Sequence, residues 1–251
     1  MFQISVLIMS FYFAFISCNR TVEAPVSSVT DENNIELSNS PNCQYEHLSV
    51  SMRSPTTINQ TVDLINELPK PLTLPCFIKS LARPLKVNLT LSRLSAQPAV
   101  GNDSPRVFIF NDNLILAITT SGEASNLLEL SQMYTDRNSL KSELKFPILH
   151  NINYQTGYDR INLGNKTTCS DCHSNEKIDD SIFENGAYTS TALKPESTMP
   201  LSTFIQEFYK CQLMVNTDRR CDLIMSLLNN SDLEEVDFPE NTPKWIDTIA
   251  F

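Results

Sequence analysis

Glycine is scarce in this chain: five occur in 251 residues, at 101, 122, 157, 164 and 186. No two stand close enough to build a phosphate-cradling loop, which excludes Rossmann and P-loop nucleotide chemistry. Cations are also outnumbered, 19 Lys and Arg against 29 Asp and Glu, for a net charge of −10. That field repels nucleic acid and anionic headgroups, so no nucleic-acid partner is expected and a protein partner recognised by charge should be basic. Histidine is limited to three positions, and neither G-x-S-x-G nor H-E-x-x-H is present. No hydrolase or metalloprotease constellation can therefore be read. The apolar run 4–16 is about thirteen residues long, too short to cross a hydrocarbon layer of about 30 Å as a helix.

That run has the length of a signal-peptide core, and it ends Phe15-Ile16-Ser17-Cys18. This ending resembles the lipobox of bacterial lipoproteins, which implies a signal peptide over 1–17 and a lipid on Cys18 holding the chain at the periplasmic side of a bacterial membrane. Residues 18–42 are rich in Ser, Thr, Asn, Pro and acidic side chains, the composition of a flexible tether.

Residues 43–150 read as a β-rich domain. Leu85, Val87, Leu89 and Leu91 alternate with Lys86, Asn88, Thr90 and Ser92, which predicts a half-buried strand. Residues 106–110 and 114–118 are apolar runs around Asn111-Asp112-Asn113 and predict a hairpin. Another alternating run covers 140–148, and Ile58, Val62, Leu64, Ile65 and Leu68 share one face of a helix. The expected fold class is α+β: an antiparallel, sandwich-like N-terminal domain followed by a small, mainly helical segment over 151–230. In the latter, Leu201, Phe204, Ile205, Phe208 and Leu213 form one stripe, opened by Thr203 and Gln206 as a capping box, and Leu223, Ile224, Leu227 and Leu228 form another. A turn at 215–217 makes them a helical hairpin. Residues 231–251 read as a loosely packed acidic extension anchored by Trp245.

One motif carries chemistry. Cys169-Ser-Asp-Cys172-His173 is C-x-x-C-H, and with seven Cys and three His in the chain it should arise by chance in only roughly 0.2% of shuffled sequences. Two thiols at this spacing can reach the two vinyl groups of one porphyrin, and the adjacent imidazole is carried to the iron. The segment resembles a c-type cytochrome. The resemblance implies one covalent haem c held by Cys169 and Cys172, with His173 as an axial iron ligand. Three other readings of the pair stand beside it: a thioredoxin-like redox couple, half of a zinc site completed by Cys211 and Cys221, or a plain disulfide.

In such cytochromes a Met thioether commonly takes the sixth iron position, and Met199, before Pro200 in a polar loop 26 residues after His173, is the candidate. His150 is the alternative. Setting aside Cys18, Cys169 and Cys172 leaves four cysteines, an even number, paired as Cys43–Cys76 and Cys211–Cys221. The expectation is an exported, lipid-anchored monohaem electron carrier with a basic redox partner. The alternatives are a haem enzyme or sensor with an open distal site, and a non-haem envelope lipoprotein stapled by disulfides.

Overall fold

The computed structural model describes residues 43–93, 95, 97–101, 103–182, 186–214, 218–228, 233–244 and 247. The signal run, Cys18, the tether, the turn at 215–217 and Trp245 lie outside these residues. Among the described residues, no helix is long and apolar enough to cross a membrane.

Two short helices come first. The first, α1 (Ile58–Glu67), is capped by Thr57, whose hydroxyl accepts from the backbone N–H of Gln60, and it buries Ile58, Val62, Leu64 and Ile65. The second, α2 (Leu74–Ser80), starts on a Thr73 cap with proline in its first turn, where the missing N–H costs nothing. Strands β1 (Leu85–Thr90), β2 (Arg106–Asn111), β3 (Leu114–Thr119), β4 (Leu127–Thr135) and β5 (Asn138–Lys145) then form an antiparallel meander. The β2–β3 turn turns on Asp112 at φ +50°, a left-handed conformation that Asp tolerates better than bulkier side chains.

The C-terminal half does not stand apart from this sheet. Helix α3 (Thr156–Ile161) packs on β5. Strand β7 (Tyr188–Thr191) pairs with β5, β6 (Lys177–Ile178) with β7, and β8 (Leu233–Glu235) runs parallel to β1. The result is one eight-stranded, mostly antiparallel sheet in the order β6-β7-β5-β4-β3-β2-β1-β8. The protein is thus mixed α and β as expected, but the described strands make one sheet, not two packed sheets of a sandwich. The extension after residue 231 contributes an edge strand, and Phe238 sets its ring edge-on to Phe108 and Phe110, centroids 5.0 Å away in each case.

Alternation across the sheet sorts the side chains. Val87, Leu89, Val107, Ile109, Leu114, Leu116, Leu128, Leu140 and Leu144 join α1, α2 and the hairpin helices α4 (Leu201–Gln212) and α5 (Arg219–Leu227) in the main core. The hairpin helices appear where the stripes predict them, although Leu213 is exposed. Helix α4 begins directly after Pro200 with no side-chain cap. Thr203 is then already the third helical residue, so the predicted capping box does not form. Both expected disulfides are present, Cys43–Cys76 and Cys211–Cys221, each with 5.3 Å between Cα atoms.

Candidate functional site

The other face of the sheet is not open to water. Asn88 and Thr90, polar positions of the β1 alternation, are buried, because Asn88 donates to the Val236 carbonyl and Thr90 to the Ser197 carbonyl. These bonds pull chain from the C-terminal third across the sheet, and the space left between is a cleft open to solvent on one side. Phe108, Ile115 and Ala117 form its apolar floor, joined by Phe110, Met133 and Phe238. A charged strip runs beside them: Arg106 pairs with Glu129, Arg160 pairs with Glu143 at 2.6 Å, and Lys141, opposite Ser131 in the ladder, lines the cleft as well.

The C-x-x-C-H segment forms a wall of this cleft, with Cys169, Cys172 and His173 all lining it. Thr167 opens a 3₁₀ turn (Thr168–Asp171), its hydroxyl accepting from the Cys169 N–H at 3.1 Å. The turn closes when the N–H groups of Cys172 and His173 both donate to the Cys169 carbonyl, at 3.1 and 2.8 Å. Glu176 braces it from beyond the motif, accepting from the Thr167 backbone N–H at 2.8 Å and from its hydroxyl. One helical turn thus gathers the three side chains on one side.

The His173 ring is fixed by its Nδ1, 2.7 Å from the Thr191 carbonyl oxygen. A carbonyl can only accept, so Nδ1 carries the proton and Nε2 the lone pair of the neutral ring. Burial, helped by the Lys141 charge, drives the imidazole down to about 3, so it stays neutral at physiological pH. A neutral imidazole whose second nitrogen donates to a backbone carbonyl is the form in which histidine ligates metal.

The two cysteines are not joined to each other. Cys169 is a free thiol, raised to about 11 chiefly by burial, whereas Cys172 is disulfide-bonded. A thiol held in its neutral form speaks against a thioredoxin-like couple, whose attacking cysteine is shifted downward. The zinc reading loses its outer ligands, since Cys211 and Cys221 are bonded to each other. Among the described residues no group of three or more His, Cys, Asp or Glu could hold a metal ion.

Met199 is not brought to the cleft. Its backbone N–H donates to the Leu89 carbonyl at 2.7 Å, and its side chain, 4% exposed, is buried in the main core. His150 is exposed and also away from the cleft. The thioether that does line it belongs to Met133 on β4. Arg106 and Lys141 escape a reading of the sequence because each sits at a polar position of a predicted strand, where alternation alone says solvent, and Glu129 and Met133 escape it because β4 shows no clean alternation. No family model, curated protein or solved structure matches the chain significantly.

Proposed function

We propose that this is an exported c-type haem protein that carries electrons, with one haem c on Cys169 and Cys172, His173 as axial ligand, and a lipid on Cys18 tethering it to a bacterial membrane. The observation that carries the reading is the state of His173: neutral, oriented through Nδ1 to Thr191, and set in a cleft wall directly beside the two cysteines of its motif. A haem bound there supplies an iron that alternates between ferric and ferrous states.

The chain's part is to hold and to shield. Thr167 and Glu176 set the turn that presents the thiols, the Thr191 carbonyl keeps His173 in the ligating tautomer, and the Phe108, Ile115 and Phe238 side chains keep water off one side of the cleft. Cys169 and Cys172 would hold the group through their sulfurs, Cys169 as the free thiol it is and Cys172 once an external thiol has reduced its disulfide. Met199 is buried in the core and so is not placed to hold the group, whereas Met133 lines the cleft and would be the thioether within it. The net charge of −10 favours a redox partner with a basic surface.

A second reading is favoured by the disulfide at Cys172: an exported, disulfide-stapled binding module whose cleft takes an apolar ligand without a covalent link. Haem staining of a denaturing gel separates the two. With the chain made in a host that matures c-type cytochromes, the reading predicts a stained band for the native sequence and loss of most of the stain in Cys169→Ala. An unstained native band overturns it.

A further inference from the structure

Lys141 is 8% exposed, yet among the described residues its ammonium has a single hydrogen bond, to the Ser131 hydroxyl at 3.2 Å. The carboxylates on the same strip are already taken, Glu129 by Arg106 and Glu143 by Arg160, and among the described residues no carboxylate lies within ion-pair distance of the Lys141 Nζ. A buried ammonium with one neutral partner is costly to keep. This one borders a cleft whose floor is apolar and which the motif walls.

We infer that Lys141 is the anion anchor of the cleft and takes a carboxylate of an otherwise apolar ligand. On the haem reading, on which this rests for the ligand's identity, that carboxylate is a porphyrin propionate. A fatty-acid carboxylate offers the same chemistry, and the arms of the test tell the two apart.

The test is fluorescence titration of the full chain with protoporphyrin IX and with its dimethyl ester, in the native sequence and in Lys141→Met, Lys141→Gln and Lys141→Arg. Palmitate and methyl palmitate serve as competitors. The native chain should bind the free acid at least tenfold more tightly than the ester. Lys141→Met and Lys141→Gln should lose that preference while still binding the ester, and Lys141→Arg should keep part of it. Lys141→Met should melt at the same or a higher temperature, since an unpaired buried charge has been replaced by an apolar chain of similar length, whereas a purely structural lysine would lower the melting point. Equal native affinity for acid and ester, or equal loss of both in Lys141→Met, overturns the anchor. Haem staining is scored separately. A Lys141-dependent preference for palmitate in a chain that never stains keeps the anchor and removes the porphyrin. A stained chain without any acid preference removes the anchor and keeps the haem.

Discussion

Placing a methyl group at Gly157 tests the packing that leads into the motif. Helix α3 lies against β5 at this residue, and a Cβ here would fall 2.1 Å from the Ser142 Oγ, 3.2 Å from the Glu143 carbonyl oxygen and 3.3 Å from a Leu144 methyl. Ser142 is 4% exposed, so its hydroxyl has little room to retreat. Alanine in a helix gains about 0.5–1 kcal/mol over glycine through the unfolded chain, while overpacking of this kind costs about 1–3 kcal/mol. An approach of 2.1 Å puts the cost in the upper half of that range, so the net for Gly157→Ala is a loss of about 1–2.5 kcal/mol, or a fall in melting temperature of about 2–10 °C for a chain of this size. Removing the Ser142 hydroxyl relieves the tightest contact, so in a Ser142→Ala background the same substitution should cost at least about 1 kcal/mol less. Urea unfolding of the four chains with disulfides intact reads the cycle. A neutral Gly157→Ala, or an equal cost in both backgrounds, would mean that α3 and β5 are not in tight contact at this residue.

Three further outcomes follow from the same contacts. Replacing both cysteines of a disulfide by alanine should cost about 2.8 kcal/mol for Cys211–Cys221 and about 3.8 kcal/mol for Cys43–Cys76, because the separations of 10 and 33 residues close loops of different length; denaturant midpoints measured without reductant should rank them in that order. Arg83 donates to the carbonyls of Ser226 and Leu227 at the end of α5 and to that of Ile78 in α2, so Arg83→Met should destabilise the fold by about 3 kcal/mol, read by thermal melting. The Glu143 carboxyl is held above the usual range by burial first and then by Glu129 across the ladder, against the pull of Arg160. Its folded value lies above its unfolded one, so the stability it contributes is full below about pH 4.3 and is lost as pH rises through the folded value. Relative to Glu143→Gln, the native chain should therefore lose stability from pH 4 upward, and a difference independent of pH would contradict this.

Much of the fold is legible where one physical signal acts alone. The stripe from Ile58 to Leu68, the 106–118 hairpin and the two C-terminal helices rest on periodicity and turn chemistry, and all three form. Helix α2 carries its own signal in Thr73 and Pro75, a cap followed by a first-turn proline, which the prolines on either side obscure. Strand β4 was hidden because Leu127 and Leu128 break the alternation at its start. Strands β6, β7 and β8 are two to four residues long, too short for any period, and so the joining of both halves into one sheet could not be read. The site divides the same way. The motif names Cys169, Cys172 and His173 because its spacing is local. Arg106, Lys141 and Met133 meet it only through strand register, and Met199 lies in the core, its backbone N–H bonded to the Leu89 carbonyl, a long-range contact that no local pattern announces.

Covalent haem at the motif is read from the intact mass of the purified, denatured chain after expression with a cytochrome c maturation system. The native sequence should gain the mass of one haem, and the chain with Cys169 and Cys172 both replaced by alanine should gain none. A native chain that carries no added haem mass under those conditions contradicts covalent attachment at the motif.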